Sequence, residues 1–149
     1  MTTNISSATN EVEIRQLIDD WANAVRGKDL KNLESYYVPE ILEFDLTPPL
    51  QFAGIDAYGK NFEDWFSSFE GSIGYEIRDL KITTADDKAF SHSLNRIIGK
   101  RTNGESTDLW VLATVSFHKI GGKWKIAHEH FSVPFYMESP YEASLDLKL

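Results

Sequence analysis

Near the end of the chain, His128, His130 and Ser132 occupy alternate positions in Trp124-Lys125-Ile126-Ala127-His128-Glu129-His130-Phe131-Ser132-Val133-Pro134. Imidazole titrates nearest neutrality, so a histidine held beside a carboxylate can act as a general acid or base. Residues i, i+2 and i+4 of a strand share a face, which puts Trp124, Ile126, His128, His130 and Ser132 together. That side begins apolar and ends in two imidazoles and a hydroxyl, as expected where a packed core opens into a pocket. The same phase argument places Trp110 and Thr114 on one face of the preceding strand. His130, Thr114 and at least two of Trp21, Trp65 and Trp110 are therefore expected to border one cavity. Two other readings compete. His130 could be a structural residue bonded to the hydroxyl of Thr114 or Tyr36, or His128 and His130 could be metal ligands. A metal needs a third ligand, and neither His92 nor Glu129 is evidently on the same wall. No metal and no cofactor are assigned.

Those residues need a sheet to hold them. Gly121-Gly122 joins two alternating apolar runs, Thr107 to His118 and Lys123 to Val133, as a hairpin. Ala89 to Lys100 reads as a long strand between turns at Ala85-Asp86-Asp87-Lys88 and Thr102-Asn103-Gly104-Glu105. In the run before it, Ile73, Tyr75 and Ile77 share one phase and Leu80 and Ile82 the other, which predicts a bulge near Arg78-Asp79. The first half has helical period instead. Ile14, Leu17, Ile18, Trp21, Ala22 and Val25 form one stripe, opened by a capping box at Asn10 and Glu13 and stopped by Gly27. Asp29 caps a short second helix carrying Leu30, Leu33, Tyr36 and Tyr37, which ends before Pro39. Ile41 to Leu46 is a short strand broken by Pro48 and Pro49. After Gly54, the residues Ile55, Tyr58, Phe62, Trp65, Phe66 and Phe69 give a third helix, closed by Gly71.

Residues 1–9 are expected to be a disordered tail, 10–136 one domain, and 137–149 a C-terminal tail. The element order makes an α+β fold. The expected architecture is a conical barrel: a strongly curved antiparallel sheet, with three N-terminal helices closing a pocket. Helices can cover only one side of that sheet. Val111, Val115, Phe117, Phe131 and Val133, assigned to the outer face, are too apolar to leave bare, which predicts a homodimer across the sheet.

Composition narrows the function classes. The 149 residues carry 23 acidic and 15 basic side chains, a net charge of −8. That balance argues against nucleic acid as a partner and against anionic membranes, since no basic stripe could track phosphates. Without cysteine there is no disulfide, thiolate metal site or cysteine nucleophile, in keeping with a reducing cytoplasm. The segment Met1 to Ala8 lacks the basic and apolar regions of a signal peptide, and no apolar run has the length of a membrane span. The expectation is a soluble, cytoplasmic domain. Its four Trp, six Tyr and nine Phe suit an aromatic-lined cavity.

This element order, with Gly122-Lys123-Trp124-Lys125-Ile126-Ala127-His128-Glu129-His130-Phe131-Ser132-Val133-Pro134 after the turn, resembles the nuclear transport factor 2-like superfamily. The likeness spans residues 11 to 136 and is strongest to the SnoaL-like and ketosteroid-isomerase-like branch. It implies a conical barrel with an apolar pocket, commonly dimeric through the sheet. The implied activities run from isomerases, cyclases and dehydratases to non-catalytic ligand-binding or scaffold domains. In ketosteroid isomerases an aspartate ending the first strand is the general base; by position it is similar to Asp45. The oxyanion tyrosine falls near Trp21, which donates only through its indole N–H, and the second oxyanion acid falls near Ala113, which donates nothing. Of those three roles one is matched, one is weakened and one is lost, which argues against steroid isomerisation by that mechanism. Where the branch often carries Arg-x-Thr, this chain has Leu112-Ala113-Thr114; keeping the Thr without the Arg points to a more apolar ligand.

Asp45 has two readings on its own residues. Facing a cavity, it would be desolvated and a usable base. It shares a strand face with Ile41 and Glu43, however, while Leu42, Phe44 and Leu46 make the greasier side; with that side inward, Asp45 is solvated. Trp21, Trp65, Phe69 and Trp110 are core aromatics of which a subset lines the cavity. His92 reads as structural and Arg96 as paired with an acid. Asp45 and His130 are thus the candidate catalytic residues, with Trp21, Tyr36, Trp65, Phe69, Trp110, Thr114, His128 and Ser132 as the candidate ligand-binding set. The expected function is binding of a small, largely apolar molecule. As an enzyme the protein would carry out cofactor-free isomerisation, cyclisation or dehydration next to a carbonyl. The alternative is a non-catalytic ligand-binding or dimerisation module.

Overall fold

A computed structural model describes residues 2–149, with side-chain surroundings from residue 7 onward. Three helices, α1 (Thr2–Arg26), α2 (Leu30–Ser35) and α3 (Ile55–Ser67), accompany six strands. The strands are β1 (Tyr37–Phe44), β2 (Phe52–Ala53), β3 (Phe69–Thr84), β4 (Lys88–Arg101), β5 (Ser106–Ile120) and β6 (Lys123–Ser132). They form one curved sheet in the order β2-β1-β6-β5-β4-β3. The four long strands are the expected meander, and β5 and β6 pair antiparallel across Gly121-Gly122. Both glycines have positive φ (57° and 81°), which a primed hairpin turn requires. The sheet is not wholly antiparallel, as expected from the meander alone: β1 lies parallel to β6, with Leu42 opposite His128 and Phe44 opposite His130.

α1 starts at Thr2, well ahead of the expected Asn10. Asn10 is no cap. It is buried within the helix, where its Nδ2 donates to the Ala85 carbonyl (3.3 Å) and its Oδ1 accepts from Lys119 Nζ (3.1 Å). Ser7 and Thr84 share a hydroxyl hydrogen bond of 2.8 Å, so the helix extension is tied to the end of β3. Asp29 caps α2 as expected, accepting from Asn32 N–H. Tyr37 belongs to β1 rather than α2, because Tyr36 already closes the helix and Tyr37 pairs with Ile126. Pro39 is tolerated there because it falls within the register shift between Tyr37 and Leu42. The expected bulge in β3 is present: the register shifts between Arg78 and Lys81, and Asp79 takes a φ of 54°. After β6 the chain hooks back, with Phe135 bridging Ala143 and Ser144 N–H donating to the Pro134 carbonyl (2.8 Å).

A second bulge decides which residues face inward. Opposite β6, Ser116 pairs with His128 and Phe117 with Ile126, so Ala127 is an extra, unpaired residue. Trp124 and Ile126 point to the core, and after Ala127 the phase flips to Glu129 and Phe131. His128, His130 and Ser132 consequently stand on the outer face. The outward assignment of Val111, Phe117 and Phe131 is likewise reversed: all are buried, with Phe117 0 % exposed. Val115 and Val133 are half-buried and pack against the core.

Candidate functional site

The concave side of the sheet meets α1 and α3 around a cavity of about 270 Å³. Its deep walls are Trp21, Tyr58, Phe62, Tyr75, Val111 and Phe131, all buried. Trp21 stacks on Phe131 (centroids 6.2 Å apart) and meets Tyr75 edge-on (5.2 Å). Toward solvent the lining turns polar, through Asp45, Asn61, Asp64, Ser68 and Arg101. A mostly apolar cavity with a few convergent polar groups is the usual form of a small-molecule site.

Asp45 directly follows β1 on the inner side, in phase with Ile41 and Glu43, which are both 0 % exposed. The greasier side, Leu42 and Leu46, faces out and is more than a third exposed. Three donors hold the Asp45 carboxylate. Oδ1 accepts from Leu46 N–H (2.7 Å), and Oδ2 accepts from the Tyr58 hydroxyl (3.0 Å) and Asn61 Nδ2 (3.2 Å). Burial nonetheless raises its pKa above the usual carboxylate range, against the opposing pull of those three bonds. By lone-pair count Oδ2 is filled and Oδ1 keeps one free position.

Behind this wall lies a pair of acids. Glu43 and Glu129 are 0 % and 2 % exposed. Glu129 Oε1 accepts from the Tyr37 hydroxyl (2.6 Å), and that hydroxyl accepts from Trp21 Nε1–H (2.8 Å). Among the described residues, neither Glu43 oxygen is met by a donor. Its neighbour is the other carboxyl, and two carboxyls bond only with a proton between them. Burial, then the charge of Glu129, drives Glu43 far above its ordinary range, so it is the protonated partner. Burial pushes Glu129 up to about 7.

Of the residues singled out in the sequence, the structure brings Trp21, Asp45 and Trp65 to the cavity. Phe69 packs edge-on beneath Trp65 (5.4 Å) without lining it. The rest lie elsewhere. Trp110, Thr114, His128, His130 and Ser132 share the opposite face of the sheet, with Thr114 directly across from His130 and Leu112 across from Ser132. Arg78 and Arg96 cover the Trp110 ring, and Arg96 also grips Asp108 through two 2.9 Å bonds. His128 Nδ1 donates to the Leu42 carbonyl, and Phe44 sits edge-on to both His128 and His130. Tyr36 is half-exposed beyond α2. The expectation that His130 borders the cavity therefore fails, and the Ala127 bulge is the reason. The Trp21 N–H, which the resemblance places near the oxyanion tyrosine, is committed to Tyr37.

Sequence reasoning missed Tyr58, Asn61 and Tyr75. Tyr75 is buried in the cavity wall, and its hydroxyl accepts from Asn95 Nδ2 (2.8 Å) while no described residue accepts its proton. Tyr75 and the Ile41-Glu43-Asp45 face could have been found: a carboxylate in phase with a core isoleucine marks a wall, not a surface. Among the described residues no three His, Asp or Glu side chains converge as metal ligands, and no helix is long and apolar enough to cross a membrane.

A curved mixed sheet closed by three helices around a lined cavity is the cone of the nuclear transport factor 2-like proteins, and the SnoaL-like domain family matches residues 14–136. The chain belongs to that family. It is similar to an NTF2-like protein of unknown function from Pseudomonas putida KT2440, with 38% identity, 96% of this chain and 99% of that chain covered, and a TM-score of 0.87. A putative scytalone dehydratase from Novosphingobium aromaticivorans DSM 12444 superposes with a TM-score of 0.79 at 18% identity, covering 99% and 100% of the two chains. A ketosteroid isomerase-like protein from Erwinia carotovora atroseptica SCRI1043 gives 0.70 at 19%, covering 81% and 93%. These last two likenesses carry the fold alone. Among curated proteins none matches the chain.

Proposed function

We propose that this protein is a cofactor-free enzyme that moves a proton on a carbon next to a carbonyl, in a molecule with a largely apolar body. The observation that carries this is Asp45: a carboxylate at the edge of an apolar cavity, its pKa raised by burial, with one lone pair of Oδ1 uncommitted. Asp45 takes the proton, and the electrons of the C–H bond move into the carbonyl to give an enolate. The Tyr75 hydroxyl, oriented by Asn95, donates to the enolate oxygen. Return of the proton to another carbon is isomerisation; its transfer to a departing β-hydroxyl is dehydration. Solved relatives named for a dehydratase and an isomerase-like protein support this class of chemistry. A cytoplasmic location and a homodimer belong to the same reading.

The test is hydrogen exchange at carbon. In D₂O, 2-tetralone should lose its α-protons faster with the protein than in buffer. Asp45→Asn should lower that rate about 10²–10⁴-fold while leaving ligand binding in place. Exchange no faster than in buffer, for 2-tetralone and a panel of cyclic ketones, would sink the enzyme reading. One observation favours the non-catalytic alternative: three donors already bond Asp45, as in a purely structural carboxylate. Ketone binding without exchange would decide for it.

A further inference from the structure

Arg101 ends β4 opposite Phe69 and lines the solvent side of the cavity. The other cations near the end of this strand are paired. Arg96 bonds Asp108, and Lys100 lies 3.5 Å from Glu70. Among the described residues no acid lies within ion-pair distance of Arg101, and no side chain or carbonyl accepts from its guanidinium. Each of the other four arginines donates to an oxygen: Arg15 to Glu11, Arg26 to the Tyr75 carbonyl, Arg78 to Glu76 and Arg96 to Asp108. Asp64 borders the same opening without reaching it.

The guanidinium is nonetheless held in place. Its carbon sits 4.4 Å from the Phe69 ring centroid. The Phe69 ring lies on β4 only because position 99 is glycine: a Cβ there would come within 2.6 Å of Phe69 Cδ1. Phe69 is 2 % exposed and is braced on its other side by Trp65. A half-buried, stacked guanidinium with five uncommitted N–H donors at an apolar cavity is a receptor for a planar two-oxygen anion.

We infer that Arg101 is the anion subsite of this cavity and that the ligand is an amphipathic carboxylic acid. Its ring-sized apolar body lies among Trp21, Tyr58, Phe62 and Phe131, and its carboxylate on Arg101. This deepens the proposed function and rests on the cavity being a ligand site. It also revises the more apolar ligand expected from the missing Arg at position 112. The chain supplies a cation from β4 instead.

The matched probes are 2-naphthoate and 2-naphthamide, alike in shape and different in charge, titrated calorimetrically into the full chain. Wild type should bind the acid about tenfold or more tighter than the amide. Arg101→Met should erase that preference with amide affinity unchanged, which also shows that the variant is folded. Arg101→Lys, keeping charge but not the planar fork, should retain part of it. Equal binding of acid and amide by wild type, or a preference that survives Arg101→Met, would overturn the subsite and leave the cavity reading standing. Binding of neither probe would overturn both.

Discussion

Glu43 and Glu129 give this protein an uncommon dependence on pH. Each carboxyl holds its proton more tightly folded than unfolded, where the ordinary value is 4.5. For a group shifted upward, stability is complete below the unfolded pKa and is lost as pH rises through the folded one. The window for Glu129 therefore runs from about 4.5 to about 7, with a loss on the order of 3 kcal/mol. Glu129→Gln keeps an oxygen to accept from Tyr37 and gives Glu43 a donor. Denaturant unfolding of this variant between pH 5 and 8 should slope downward less steeply than wild type, because buried Glu43 alone still holds its proton in the fold. Parallel slopes would mean that Glu129 holds its proton no more tightly in the fold than in the unfolded chain. Tyr37→Phe should cost about 1–3 kcal/mol, since it strands both Glu129 and the Trp21 N–H; a loss below 0.5 kcal/mol would place water at that position.

Among the elements, β6 shows how far sequence carries a site and where it stops. Strand phase correctly grouped Trp110, Thr114 and His130 on one face, and Thr114 does sit across from His130. The side of the sheet was inverted because one extra residue, Ala127, flips the phase between Ile126 and Glu129. Alternation cannot reveal a bulge when both phases after it read as plausible, here His-x-His-x-Ser against Glu-x-Phe. In β3 the bulge was legible, because the apolar residues themselves changed phase at Arg78-Asp79. The helices and hairpins were readable for the same reason, although Tyr37 and Phe69, in phase with the helical stripes, open β1 and β3 instead. The Asp45 wall was not, because Glu43 reads as solvated until its partner across the sheet is known. His130→Ala should accordingly change stability by less than about 0.5 kcal/mol and leave carbon exchange within about twofold. A tenfold loss of exchange would return the histidine to the reaction.

At the scale of the molecule, the outer face of the sheet is the surface left to explain. Leu42, Phe90, Ile98 and Leu112 are each 36–47 % exposed there, Leu42 on β1 and the others across β6 on β5 and β4. A patch of that kind suits a second copy of the chain, with these residues in place of the five expected from sequence. Sedimentation at micromolar concentration should give a dimer, and Leu112→Arg should shift it to monomer with the far-ultraviolet spectrum unchanged. A monomeric wild type would end the proposal.

The parallel pairing of β1 with β6 also sets the order in which the protein can assemble. The meander closes through turns of a few residues, whereas Leu42 and His128 are 86 positions apart. Loop closure of that length is slow and entropically opposed until the long strands exist to receive β1. Folding therefore builds the scaffold first and adds the Asp45 strand late. Substitutions in the β5–β6 hairpin should slow refolding, while those at Ile41 should mainly hasten unfolding. A nascent or partly unfolded chain would then keep most of its sheet while having no reactive centre, so loss of activity should precede loss of structure on gentle heating.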